Sequence, residues 1–351
     1  MKSATSRLSA FATERDALGR ILAAGIDTRL AKAGWQLIEG ASRILLLAHE
    51  RPDPDALGSA LGLAHALAPL GKDCVVACAD PVPAHYTFLP GREQVVIRLP
   101  DERFDLVVAL DAGELSRYGT LYERHRAFFD AATVLNIDHH VTSTGCGAVT
   151  IIDPVAAATA ELLTLFLLNR GVAIDTDTAD NLLAGIITDT RSFEFDATTP
   201  RTLAAGAYLV ACGAVPERIV KPMYQMKPLA KARLWGRIMD RELRVAAGGR
   251  IAWAVVRQRD IVETGATSDM DDGLPSYLLD IDGVGIAALF KEQPDGTTKV
   301  SLRAAAPYDA AAIAARFGGG GHVRAAGFSA QGDPDTVAHE VVPALEAALR
   351  A

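Results

Sequence analysis

RILLLAHERPDPDALGSALGLAHAL, residues 43–67, changes character twice within one short span. Arg43 to Ala48 is a continuous apolar run of strand length. His49 to Asp55 is polar and stiffened by Pro52 and Pro54. From about Ala56 to Leu70 the spacing predicts a helix. Strand, polar loop and helix in that order open a β–α unit, and they place the polar loop at the strand's carboxyl end.

The same grammar extends in both directions. Val75–Ala79, Asp105–Leu110 and Thr133–Ile137 are further apolar runs of strand length, and Ala156–Asn169, Ala179–Ile187 and Pro200–Cys212 carry helical patterns. Strands that are continuously apolar, interleaved with helices, indicate an α/β protein with a mostly parallel sheet covered on both faces. Residues 1–40 read as a helical extension, with Leu18, Ile21, Leu22, Ile26 and Leu30 at helical spacing. After about residue 215 the pattern shifts. A polar helix over Pro228–Leu243 leads to strands at Ile251–Val256, Val284–Lys291 and Thr298–Ala304, with a Pro294-Asp295-Gly296 turn between the last two. Helices at Pro275–Asp280, Asp309–Phe317 and Pro334–Leu349 complete a smaller α/β domain. The expected division is 1–40, 41–214, a helical linker at 215–245, and 246–351.

Composition narrows the classes. At 351 residues, 50% hydrophobic and 22% charged, the chain is large enough for two cores. A net charge of −8 argues against tracking long nucleic acid on a broad basic face. No stretch approaches the roughly 20 apolar residues that span a bilayer, and Glu14, Arg15 and Asp16 interrupt any secretory core. Cys74, Cys78, Cys146 and Cys212 lack zinc-site spacing. The expectation is a reduced, cytoplasmic protein.

Metal-capable side chains stand where the strands end. His49, Asp53 and Asp55 follow the first strand, Asp111 follows Leu106–Leu110, and Asp138-His139-His140 follows Val134–Ile137. Asp189 follows the apolar segment Leu182–Ile187. In open parallel sheets, ligands bind outside the carboxyl ends of strands, so the strand-end groups should converge. Any one of these has an ordinary reading: a lone Asp after a strand is usually a helix cap or turn residue. Their order and placement argue for a shared site. Imidazoles with several carboxylates and no thiolate suit Mn²⁺ and related cations. Such a set exceeds what one ion needs, so two ions sharing a carboxylate is the economical arrangement.

HERPDPDALGS (49–59), LDAG (110–113), IDHH (137–140) and GIITDT (185–190) resemble the four successive motifs of the DHH phosphoesterases. GGGGHVRAAG (318–327) is similar to the glycine motif of the DHH-associated C-terminal domain. Within the family the layout looks most like the nanoRNase/pAp phosphatases, which act as oligoribonuclease and 3′-phosphoadenosine 5′-phosphate phosphatase. The resemblance implies two Mn²⁺ ions, with Mg²⁺ as the alternative, on a catalytic domain at 41–214. His49 and Asp53 would hold one ion, Asp55, His139 and Asp189 the other, and Asp111 would bridge them. Asp138 would orient a neighbouring histidine, and His140 would face substrate. Arg303, Gly319, Gly320, Gly321 and His322 would bind substrate on the domain at 246–351. Arg191 stands where relatives commonly have glycine.

The implied activity is hydrolysis of a phosphate ester by a two-metal-activated water. Its partners would be short oligonucleotides or phosphorylated nucleotides, with no membrane and with a homodimer as the assembly to test. The rival readings are a RecJ-like single-strand exonuclease, a pyrophosphatase, a phosphodiesterase of linear pApA or pGpG, and a non-enzymatic nucleotide-binding regulator.

Overall fold

The computed structural model describes residues 15–225 and 227–350, and it divides into two compact units, with the boundary between residues 226 and 227. In the first, strands β1 (Arg43–Ala48), β2 (Asp73–Cys78), β3 (Leu106–Leu110), β4 (Val134–Asp138) and β5 (Val149–Ile152) form one sheet in the order β2-β1-β3-β4-β5. Every pairing in it is parallel. Alternate residues of β1 enter different cores: Ile44, Leu46 and Ala48 face one, Leu45 and Leu47 the other. That two-sided burial is why the run is apolar without alternation.

The order reverses between β1 and β3, which makes their carboxyl ends the crevice of this fold. Helix Pro54–Leu67 starts at that edge, with Asp53 as its N-cap and Pro54 in its first turn. It packs against helix Thr176–Asp189 so closely that a Cβ on Gly58 would lie 2.3 Å from the carbonyl oxygen of Asn181.

Strand β5 escapes the sequence reading because Val149–Ile152 is short and follows an irregular loop. The N-terminal segment also differs from a separate extension. Residues 1–14 of that expectation lie outside the described residues. Beyond them Leu22, Ile26, Ala31, Trp35 and Ile38 are buried in the first unit's main core, and Trp35 meets Phe166 with ring centroids 5.9 Å apart. Of the helical stripe seen in sequence, Leu22 and Ile26 are core residues and Leu18 and Leu30 pack against that core, whereas Ile21 is exposed.

The second unit carries β6 (Arg244–Ala246), β7 (Ile251–Val256), β8 (Ile286–Glu292), β9 (Thr297–Ala304), β10 (Gly320–His322) and β11 (Ala325–Gln331), ordered β10-β11-β9-β8-β7-β6. Only the β7–β8 pairing is parallel. Helix Leu229–Arg241, expected within a linker, buries Leu234 and Ile238 against Ala252, Ala254 and Val256 of this sheet. Its polar character reflects one exposed face, and the stretch 215–245 is thereby shared between the two units.

Candidate metal centre

Asp111 has a left-handed backbone, φ 58°, a conformation that costs an aspartate on the order of 1–3 kcal/mol. Buried hydrogen bonds hold it there. Its own N–H donates to the Ile137 carbonyl at 3.1 Å. Tyr118 Oη donates to the Leu110 carbonyl at 3.0 Å, and Asn136 Nδ2 donates to those of Ala109 and Ala112 at 3.1 and 2.9 Å.

The turn delivers a buried carboxylate between two histidines. Asp111 Oδ2 lies 3.4 Å from His49 Nε2, and Oδ1 lies 3.5 Å from His139 Nε2. On one side His49, Asp53 and Asp111 bring ligand atoms within 4.8 Å of one another, and on the other Asp55, His139 and Asp189 do the same. All six side chains expected at the metal site are thus brought together, and Asp111 also groups with His139 and His140, so it reaches a histidine on each side.

The ordinary and metal readings of Asp53 coexist. Its Oδ1 caps the helix, accepting from the N–H groups of Asp55 and Ala56 at 3.0 and 2.9 Å. Its Oδ2 is left 3.8 Å from His49 Nε2. Asp55, fully buried, is gripped by the N-terminus of helix Thr159–Asn169. The N–H groups of Thr159 and Ala160 donate to Oδ2 and Oδ1 at 2.7 and 2.9 Å. Asp189 sits in the last turn of its helix with Oδ2 3.3 Å from His139 Nε2.

The imidazoles are oriented from behind. His49 Nδ1 contacts the Glu50 carbonyl at 2.8 Å, and His139 Nδ1 contacts that of Ala156 at 3.1 Å. A carbonyl only accepts, so Nδ1 carries the hydrogen and each neutral ring aims its Nε2 lone pair at carboxylates. His139 Nε2 is buried without a hydrogen-bond partner. Lone pairs directed at anions require a cation between them, either protons or a metal. Without metal the protons win. Burial pulls His49 and His139 down, but the surrounding aspartates, chiefly Asp111 and Asp53 for one and Asp189 and Asp55 for the other, raise both to about 10. Burial, reinforced by the charges of Asp111 and Asp189, pushes Asp55 well above the carboxylate range. Burial likewise lifts Asp189 to about 6. Neutral imidazoles with Nε2 converging on carboxylate oxygens fit a pair of divalent cations.

Asp138 lies behind this cluster. Its Oδ1 accepts from the backbone N–H of His139 at 2.8 Å and from His140 Nδ1 at 2.7 Å. The histidine whose ring it orients is His140, which is half exposed. The hydrogen bond to Asp138 raises the His140 pKa. Burial pushes the Asp138 carboxyl up, but hydrogen bonds from His140 and Ser143 and the charge of His140 together bring it below its ordinary value.

Sequence reading missed the residues that hold the ligands. Thr159 Oγ1 donates to Asp111 Oδ1 at 2.8 Å. Gly185 leaves room for Asp55, since a Cβ there would fall 2.3 Å from Oδ1. One signal was available. Helix Thr159–Asn169 opens after Ala156-Ala157-Ala158 with no capping side chain of its own, and the missing cap is Asp55.

In the second unit, register places Arg303, Ala325 and His322 in one row across β9, β11 and β10. Cross-strand partners share a face, so the arginine and histidine flank the small alanine at two strand spacings, about 10 Å. Gly320 points to the same face, where a Cβ would meet nothing within 4 Å. Gly319 and Gly321 differ, because a Cβ would strike Gly327 and Phe328 at the first and Ala325 and Ala326 at the second. Burial lowers the Arg303 pKa, partly offset by Asp272, and Arg303 forms no ion pair among the described residues.

A parallel α/β unit carries a carboxylate–histidine cluster at its switch point, and a mixed-sheet unit follows it. Residues 43–186 match the DHH family, N-terminal domain, and residues 249–351 match the DHHA1 domain. The chain is 34% identical to the bifunctional oligoribonuclease and PAP phosphatase of Thermus thermophilus, over 92% of this chain and 94% of that protein. It is 28% identical to the protein of the same description from Bacillus subtilis, over 82% and 88%. Its fold matches the crystal structure of an exopolyphosphatase-related protein from Bacteroides fragilis with a TM-score of 0.83, at 24% identity over 93% and 96% of the chains. The chain belongs to the DHH family. Asp189 lies just beyond the matched segment, and the structure brings it to the cluster.

Proposed function

We propose that this phosphoesterase hydrolyses short oligoribonucleotides, 3′-phosphoadenosine 5′-phosphate, or both, with two Mn²⁺ ions as the preferred cofactors and Mg²⁺ as the alternative. The observation that carries the reading is the division of Asp111, one oxygen toward His49 and the other toward His139. His49 and Asp53 would hold one ion, Asp55, His139 and Asp189 the second, and Asp111 both. Bound there, the cations would supply an activated water and charge neutralisation on the phosphoryl group. His140, with Nδ1 tied to Asp138, presents Nε2 to the phosphate or to the leaving oxygen and can donate a proton to it.

The second unit would bind the nucleotide. Arg303 is a partly buried cation with no ion pair among the described residues, a state that a phosphate relieves. His322 on the same face and the bare backbone at Gly320 allow close approach of phosphate oxygens, with Gly319 and Gly321 shaping the strand that presents them. Among the described residues no single helix is long and apolar enough to cross a membrane, and the four cysteines are unpaired. A reduced cytoplasmic setting suits both facts.

The test offers manganese-loaded protein end-labelled dinucleotides, longer RNA, 3′-phosphoadenosine 5′-phosphate and pyrophosphate side by side. Turnover of the dinucleotides or the bisphosphate well above that of long RNA supports the reading. Tight nucleotide binding without cleavage of any substrate would replace it with the regulatory alternative.

A further inference from the structure

Thr159 touches the metal cluster twice and cannot touch a substrate, because it is fully buried. Its hydroxyl donates to Asp111 Oδ1 at 2.8 Å, and its backbone N–H donates to Asp55 Oδ2 at 2.7 Å. Asp55 groups with His139 and Asp189, while Asp111 groups with His49 and Asp53 and, through its other oxygen, approaches His139 at 3.5 Å. One residue at the start of a helix therefore holds carboxylates on which both ions would depend.

The hydroxyl matters most for Asp111. A carboxylate can rotate about its last bond, and a free one could turn both oxygens toward a single cation. Here Oδ2 faces His49, and Oδ1 faces His139 while accepting the Thr159 hydroxyl. The donor fixes the carboxylate plane so that one oxygen remains on each side. It uses one lone pair of Oδ1 and leaves the other toward His139. The backbone bonds described above fix where the Asp111 Cα sits, but none of them fixes this rotation.

We infer that Thr159 is a positioning residue that makes Asp111 a bridge, so that its hydroxyl governs occupancy of the second cation site and the coupling between the ions. This rests on the two-cation reading of the site, and its test separates the two. Partners of this kind behind metal ligands typically contribute about 10–100-fold in metal affinity.

Mn²⁺ is titrated into metal-free wild type, Thr159→Val, Thr159→Ala and Thr159→Ser, with stoichiometry from calorimetry and spin coupling from electron paramagnetic resonance. Circular dichroism of the metal-free chains identifies which donor-free variant is folded. Wild type and Thr159→Ser should take up two coupled ions. The folded donor-free variant should bind its second ion roughly 10–100-fold more weakly, or lose the coupled signal. A donor-free variant that binds two coupled ions like wild type overturns the inference alone, as does a Thr159→Ser variant as defective as Thr159→Val. A wild type that takes up fewer than two ions overturns the reading of the site itself.

Discussion

The Asp55 carboxylate lies 2.7 Å from the backbone nitrogen of Thr159, 104 residues further along the chain. A metal-site aspartate is thus also the cap of a helix that lacks one. Site and fold share this contact, which gives substitutions at Asp55 two separable effects.

Asp55→Asn keeps an oxygen for one of the two helix N–H groups and removes a charge that burial and its neighbours disfavour. The metal-free variant should unfold at the wild-type temperature or above it, while losing the stabilisation that Mn²⁺ confers on wild type. Asp55→Ala leaves both N–H groups without an acceptor and should cost on the order of 1–3 kcal/mol even without metal. Thermal unfolding with and without Mn²⁺ distinguishes the pair, and equal behaviour of the two variants would refute the capping role.

The histidine shifts set a pH dependence. His49 and His139 rise from 6.5 to about 10 in the metal-free fold. A pKa raised on folding means that the folded chain holds its proton more tightly than the unfolded one. The contribution is therefore full below about pH 6.5 and is lost as pH rises toward 10. Denaturant titrations of metal-free protein should show stability falling over that window. Mn²⁺ replaces these protons, so its binding near pH 8 should release protons, visible as calorimetric heats that change with the ionisation enthalpy of the buffer. Heats independent of buffer would contradict the shifts.

Neighbouring glycines should respond differently to the same change. Gly319→Ala drives a methyl group into Gly327 and Phe328 and should destabilise by about 1–3 kcal/mol. Gly320→Ala meets open space and should stay within about 0.5 kcal/mol of wild type, yet raise KM by obstructing the face that carries Arg303 and His322. Unchanged KM would remove Gly320 from the substrate surface.

Arg191, Ser192 and Phe193 all have positive φ, at 48°, 62° and 68°. That explains why glycine suits position 191. Arg191→Gly should recover up to about 1 kcal/mol, the left-handed cost less the entropy of glycine. Urea unfolding reads this directly, and a loss of stability would show that interactions of the arginine side chain outweigh the strain.

His49, Asp53, Asp55, Asp111 and His139 were legible because strand-end placement is a property of the parallel sheet itself, and apolar runs such as Leu106–Leu110 announce where strands stop; Asp189, at the end of a helix, was legible only through the GIITDT motif. What held those residues in place was not. Thr159 reads as an ordinary helix-start threonine, and its partner Asp111 is 48 residues away. Asn136 sits inside an apolar strand, and its side chain secures a turn on another one. Glycines 319 and 320 look alike in sequence, and only the packing around each backbone separates them. Short strands that depend on a neighbour for their existence, such as β5 and β10, were invisible for the same reason.

The most direct measurement is anomalous diffraction at the manganese edge from crystals of the Mn²⁺-loaded protein. Two peaks should appear, one beside His49 and Asp53 and one beside Asp55, His139 and Asp189, each in contact with a different oxygen of Asp111. A single peak, or two peaks of which only one touches Asp111, would contradict the shared-carboxylate account.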